Sequence, residues 1–289
     1  MSQQSSNIQA QPVSRVVLIG GSGFIGKAIA NALEQEKIDF LSISSKEINL
    51  IEPQSIEKLS QLLKPTDSVV MLSALTPDRG KDAATLIKNI AMMDHLLTAL
   101  KKVGCAHLIY FSSDAVYNAQ AATVNEQTPA APSDLYGLMH RTRELMGSDL
   151  GVPYLVLRPT LVYGEFDSHN AYGPNRFMRL AQTEKKIPVF GCGEELRDHI
   201  YVGDIANLTV ESLKRRLQGV FNLATGISTS FFDIAKMVSD QFGDVEIEEL
   251  KRASPIWHRH FDVTHLIKAF PGFQFTNLKE KLKFMDYSQ

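Results

Sequence analysis

The sequence lacks most of what would commit a chain to secretion, to a membrane or to metal. Its 289 residues contain two cysteines, Cys105 and Cys192. Two are too few for a disulfide framework and have no metal-ligand spacing, which predicts a reducing compartment, the cytoplasm, and no metal. His258 and His260 bring no third ligand with them. Neither sign of charge is in excess: 30 Lys and Arg stand against 32 Asp and Glu, a net charge of −2. This balance gives no case for nucleic acid or for an acidic membrane surface as partner. No apolar run approaches a membrane span, and the polar, Gln- and Ser-rich start (Met1 to Pro12) lacks the apolar core of a signal peptide. Residues 1–13 are predicted to be a disordered tail.

The rest of the chain alternates apolar runs with helical patterns. Strands are predicted at Arg15–Gly20, Ile38–Ser44, Ser68–Ser73, Cys105–Ser112 and Tyr154–Arg158. Helices are predicted between them at Phe24–Glu36, Gln54–Leu63, Asp82–Lys102 and Ser133–Asp149. Such alternation builds right-handed βαβ units, and so an α/β fold with a doubly wound, Rossmann-type parallel sheet. After Pro159 the texture changes, with Gly, Pro, Asn and His punctuating Gly164 to Gly193. The helix Val202–Lys214 and the strand Gly219–Ala224 read as a return to the first domain. The division expected is therefore 14–163 with 201–224 as the dinucleotide-binding domain. Residues 164–200 and 225–289 form a smaller, mixed α/β substrate lobe, with the ligand between the two.

The most informative stretch joins the first strand to the first helix, Gly20-Gly21-Ser22-Gly23-Phe24-Ile25-Gly26. Gly20, Gly23 and Gly26 fit one glycine template and Gly21, Gly23 and Gly26 another. Glycines here let the chain turn sharply and let a pyrophosphate approach the N–H groups that open the helix at Phe24 and Ile25.

Further motifs follow in order: Ser73-Ala74, Asn89, Ser112-Ser113-Asp114 with Val116-Tyr117, Tyr136, Glu144, Arg158-Pro159-Thr160 with Val162-Tyr163-Gly164, and Arg197-Asp198-His199-Ile200 with Asp204. With the glycine turn they make the chain resemble, over nearly its whole length, the extended short-chain dehydrogenase/reductases, the NAD(P)-dependent nucleotide-sugar epimerase, dehydratase and reductase group. The resemblance implies that Ser113 polarises a substrate oxygen and that Tyr136 is the acid/base; a homodimer is left open, since the sequence does not fix the oligomeric state. It also places Ser73, Ala74, Asn89, Ser112, Tyr136, Pro159 and Val162 around the cofactor.

One position departs from the pattern. The family's Lys, one helical turn after the Tyr, is His140 here. A protonated imidazole could lower the Tyr pKa from about 10, and a neutral one could still hydrogen-bond ribose. Activity is then expected to vary with pH across the imidazole range and to rise in His140→Lys. Arg141 and Arg143 are read as pointing elsewhere.

The cofactor choice rests on the end of the second strand. No carboxylate closes it, and Ser44, Ser45 and Lys46 could hold a 2′-phosphate, which favours NADP; Asn49 and Leu50 fit the same reading. Glu47 keeps NAD open. For the substrate, Arg is the natural bidentate partner of a pyrophosphate. Arg197 is the first candidate, with Arg176, Arg259, Asp114 and Asn170 beside it. Asp114-Ala115 lacks the acidic pair expected of dehydratases, leaving epimerase or reductase. A nucleotide-binding protein with little turnover, a sensor or assembly factor, is the alternative.

Overall fold

The computed structural model describes residues 13–165, 167 and 170–285. The tail expected at Met1 to Pro12 lies outside the described residues; Val13 packs, partly buried, against the core.

In chain order the elements are β1 (Arg15–Ile19), α1 (Phe24–Gln35), β2 (Phe40–Ile43), α2 (Ser55–Leu62), β3 (Asp67–Met71), α3 (Ala83–Val103) and β4 (His107–Phe111). A 3-10 turn at Asp114–Val116 and β5 (Thr123–Val124) lead to α4 (Leu135–Ser148), β6 (Tyr154–Pro159) and β7 (Leu161–Tyr163). Then come α5 (Pro174–Thr183), β8 (Lys186–Phe190), β9 (Leu196–Tyr201), α6 (Val202–Arg215) and β10 (Gly219–Leu223). The last elements are β11 (Ser228–Ser230), α7 (Phe231–Phe242), β12 (Glu246–Leu250), β13 (His260–Phe261), α8 (Thr264–Ala269) and α9 (Leu278–Leu282).

Six strands form a parallel sheet in the order β10-β6-β4-β3-β1-β2. The chain runs outward from β1 to β2, then crosses back to β3 on the other side of β1. That reversal opens a crevice at the carboxyl ends of β1 and β3. Strand alternation divides the core into two layers. Val16 and Leu18 pack toward α1 and α6, whereas Val17 and Ile19 pack toward α2 and α3. On β4 the same alternation sends Phe111 to the first layer and Tyr110 to the second.

A smaller unit packs around Tyr163, Phe177, Ile187, Phe231 and Ile234, between α5, α7 and the parallel pair β8–β12. A three-stranded sheet, β11-β9-β7, continues from the large sheet into it. The expected division needs one correction. Residues 260–270, read as part of the smaller lobe, pack against the large sheet: β13 pairs with β5, and Phe261, Val263, Leu266 and Phe270 join the first core layer.

Candidate active site

The glycine turn lies in the crevice. Gly20 has φ of 92°, in the left-handed region, and a Cβ there would stand 2.6 Å from Ser73 Oγ. At Gly26 a Cβ would stand 2.6 Å from Gly21 Cα and 2.7 Å from Gly20 O, so glycine is what lets α1 abut the turn. Gly23 differs: its φ is −75° and a Cβ would meet only Gly20 O at 3.3 Å. No side chain caps α1, which leaves its first N–H groups facing the space beside Gly23. The turn therefore fits a dinucleotide's pyrophosphate.

The neighbouring loop is held from behind. Asn89 on α3 brackets Leu75, donating to its carbonyl at 3.0 Å and accepting from its N–H at 2.8 Å. Arg143 on α4 donates to Ser73 O and to Asn89 O, each at 2.8 Å. A cavity of about 140 Å³ lies against this loop, lined by Leu75, Asn89, Asp134, Tyr136 and Met139 among others.

Helix α4 carries the centre of the site, and its orientation is over-determined. Asp134 caps it, accepting from Gly137 N at 2.8 Å. Gly137 lies so close to Ala115 O that a Cβ would collide with it, which brings Tyr136 up to Ser113. Glu144 clamps the helix to the sheet: it accepts from Arg158 at 2.8 and 2.7 Å and from Ser112 Oγ at 2.7 Å. Burial pushes the Glu144 carboxyl up, but the hydrogen bonds and charge of Arg158 hold it below its ordinary value. Arg158 also donates to Tyr117, which donates to Asn222 on β10. The Ser112 hydroxyl thus belongs to this buried network, and its backbone N–H is taken by the Leu157 carbonyl at 2.7 Å.

Tyr136, His140 and Arg143 occupy positions i, i+4 and i+7, one face of the helix. Tyr136 is half-buried, its ring edge-on to His140 at 4.7 Å, and the nearby Ser113 hydroxyl favours its ionised form. Burial raises the phenol to about 12, Asp114 and Asp134 add to this, and Arg143 opposes it. His140 is 2% exposed, and burial together with the Arg143 charge lowers it to about 3.

Two expectations change here. The imidazole is neutral at physiological pH, so it is not a protonated substitute for Lys. Arg143 does not point elsewhere: it is fully buried, lies two turns along the same face from Tyr136, and is the cation whose charge reaches that phenol. The i, i+7 spacing was available in the sequence and is the signal that finds it.

At the end of β2, Glu47 folds back on Ser44, accepting from its N–H at 2.8 Å and its hydroxyl at 2.9 Å. These bonds hold the exposed Glu47 carboxyl below its ordinary value. The Glu47 carboxylate, which keeps NAD open in the sequence reading, is thus held at this strand end through the turn after it. Ser45 and Lys46 are exposed. Asn49 caps its own turn, accepting from Ile51 N, while the Leu50 carbonyl pairs with His95 Nδ1 at 2.7 Å. Pro159 ends β6, and Val162 pairs with Ile200 between β7 and β9.

The expected substrate residues separate into two groups. Arg197 sits 3.2 Å from Glu195 and 3.9 Å from Asp114, and Arg197, Arg176 and Arg259 each keep a buried Nε with no acceptor. Arg259 is a clasp: it is 5% exposed and donates to the carbonyls of Asp114 and Asn118 at 3.3 and 2.9 Å, tying the C-terminal segment to the loop after β4. Asn170 is exposed and accepts from Arg179 at 3.0 Å. Among the described residues no group of three or more His, Cys, Asp or Glu could hold a metal, and no helix is long and apolar enough to cross a membrane.

Comparison with known proteins places the chain among relatives of the same fold and family. The chain is 24% identical over 266 residues to the GDP-6-deoxy-D-talose 4-dehydrogenase of Aggregatibacter actinomycetemcomitans, covering 88% of this chain and 87% of that one. It is 24% identical over 271 residues to the dTDP-D-glucose 4,6-dehydratase of Dictyostelium discoideum, covering 78% of this chain but only 62% of that longer protein. The crystal structure of a GDP-L-fucose synthetase from Naegleria fowleri bound to NADP superposes with a TM-score of 0.85 at 19% identity, covering 99% of this chain and 96% of that one. The model of the NAD dependent epimerase/dehydratase family matches residues 16–224, and the chain belongs to that family.

Proposed function

We propose that this protein is an NAD(P)-dependent oxidoreductase or epimerase acting on a nucleotide-activated sugar. The observation that carries the proposal is the convergence of Ser113 and Tyr136 beside a buried positive charge, at the crevice where the glycine turn opens α1. The nicotinamide cofactor, when bound, accepts or supplies a hydride at a sugar carbon. Tyr136 takes the proton from, or returns it to, the oxygen on that carbon, and Ser113 donates a hydrogen bond to the same oxygen. The apo phenol, near 12, is a poor base. The Arg143 charge is the group that favours its phenolate. Relatives named as dehydrogenases and dehydratases support turnover over a purely binding role.

The sugar's diphosphate is assigned to Arg197 and Arg176, whose buried Nε groups lack acceptors and whose guanidinium groups, unlike that of Arg259, hold no backbone carbonyl among the described residues. Arg259 is a structural support for Asp114 rather than a direct ligand. For the cofactor, Ser45 and Lys46 support NADP, while the Glu47 carboxylate opposes a 2′-phosphate in the same place.

The test is a thermal-shift screen of UDP-, GDP- and dTDP-sugars on wild type and Arg197→Ala, with cofactor affinity measured alongside. Stabilisation by one nucleotide series, lost in Arg197→Ala with cofactor binding intact, is the expected result. No stabilisation by any nucleotide diphosphate refutes the substrate class.

A further inference from the structure

The cavity beside Tyr136 has a wall made largely of carbon. Leu75, Leu86 and Met139 line it next to Tyr136, and the exposed Pro77 and Leu135 continue the apolar lining toward solvent. Met139 is 1% exposed, so this wall reaches into the interior.

The polar side chains on the same wall are already engaged. Asn89 spends its amide on the backbone of Leu75: its oxygen accepts from the Leu75 N–H at 2.8 Å, and its nitrogen donates to the Leu75 carbonyl at 3.0 Å. The Thr85 hydroxyl donates to Asp82 at 2.7 Å, and Gly80 lies so close to that hydroxyl that a Cβ would collide with it. Asp134 is occupied in capping α4. Lys81, Asp82 and Asp134 are exposed, so their charges stay in water at the rim.

A substituent that enters this cavity leaves water and meets carbon. A methyl group gains from that transfer. A hydroxyl in the same place gives up its water and finds Asn89 and Thr85 taken. The Tyr136 hydroxyl is reserved for the reacting oxygen.

We propose that this cavity selects a sugar bearing a methyl-terminated substituent over its fully hydroxylated counterpart, with Leu75, Leu86 and Met139 as the specificity-determining residues. The methyl is either C6 of a 6-deoxy sugar or the end of an acetamido group. The proposal rests on the functional reading above and narrows its substrate class. At about 140 Å³ the cavity has room for either group. A C6 methyl brings no polar atom with it, whereas an acetamido group brings an amide that must find its partners at the rim.

The experiment is calorimetry on the protein saturated with NADPH or NADH. Three sugars are compared on each of UDP, GDP and dTDP: a hexose, its 6-deoxy form and its 2-acetamido-2-deoxy form. On one nucleotide, a methyl-bearing sugar is expected to bind about 10- to 100-fold more tightly than the hexose, the range for a hydroxyl entering an apolar pocket. Which of the two gains names the source of the methyl. Leu86→Gln, at a half-buried position, places an amide on the wall and is expected to cut the preference below about 3-fold. Leu75→Gln is the second variant, and either one, once thermal melts show it folded, decides the point. Equal or tighter binding of the hexose overturns the proposal alone, as does a preference that survives in both folded variants. Binding of no nucleotide-sugar on any of the three nucleotides overturns the functional reading and the proposal with it.

Discussion

Gly23 and Gly26 lie three residues apart in one turn, yet a side chain meets different surroundings at each. At Gly26 a Cβ would sit 2.6–2.7 Å from the Cα and carbonyl oxygens of Gly20 and Gly21, all backbone that cannot give way. Gly26→Val therefore forces α1 off the turn, at a cost of about 1–3 kcal/mol or more for overpacking. At Gly23 the nearest atom to a Cβ is Gly20 O, at 3.3 Å, and φ of −75° suits a branched residue. Gly23→Val leaves the fold intact, but its methyl groups stand before the open N–H groups of α1. Losing two charge-assisted hydrogen bonds to a diphosphate, at about 1.5–3 kcal/mol each, weakens cofactor binding by roughly 10²- to 10⁴-fold. Calorimetry with NADH and NADPH, paired with thermal melts, separates the two effects. Gly23→Val should melt like wild type and bind poorly; Gly26→Val should melt lower. A folded Gly23→Val with unchanged cofactor affinity refutes the assignment of the turn.

Three further outcomes are expected. The protein should lose stability in acid: burial holds His107 at about 4 and His140 and His199 at about 3, below the unfolded value of 6.5, so the unfolded chain takes up protons first as pH falls below 6.5. At about pH 5 each costs roughly 2 kcal/mol, offset by about 1 kcal/mol from Asp198, whose carboxyl burial raises to about 6; equal urea midpoints at pH 7.5 and 5 would contradict this. His140→Lys should destabilise rather than activate, because it buries a second cation beside Arg143 without a carboxylate, a penalty of about 3–5 kcal/mol; wild-type stability with faster turnover would argue against the buried Arg143 charge. Glu47→Gln should tighten NADPH relative to NADH by removing a like charge, and an unchanged ratio of affinities would show that Glu47 does not meet the 2′ position.

Much of this was legible in the sequence because it is local. The predicted strand Arg15–Gly20 and helix Phe24–Glu36 differ from β1 and α1 by one residue each, since glycine chemistry and hydrophobic period mark those borders. What escaped depends on contacts between distant segments or on short-range folding of side chains. The two-residue strands β5 and β13 are too short to show a period, and their pairing places residues 260–270 under the large sheet. Glu47 reaches Ser44 only because the chain after β2 turns tightly. His140 could be seen as an anomaly, but its neutrality could not. That follows from the burial of the ring against β4 and from the charge of Arg143, which the loop after β3 anchors.

The central claim is that Tyr136 moves the proton in a hydride-transfer reaction on a nucleotide-sugar. Its most direct test is product analysis of a panel of UDP-, GDP- and dTDP-sugars and their keto forms with NAD(H) and NADP(H), for wild type and Tyr136→Phe. The account predicts conversion of one nucleotide series by the wild type. Tyr136→Phe should bind cofactor and sugar as tightly yet convert nothing above background. Conversion by Tyr136→Phe at the wild-type rate, or none by the wild type on any member of the panel with either cofactor, would contradict it.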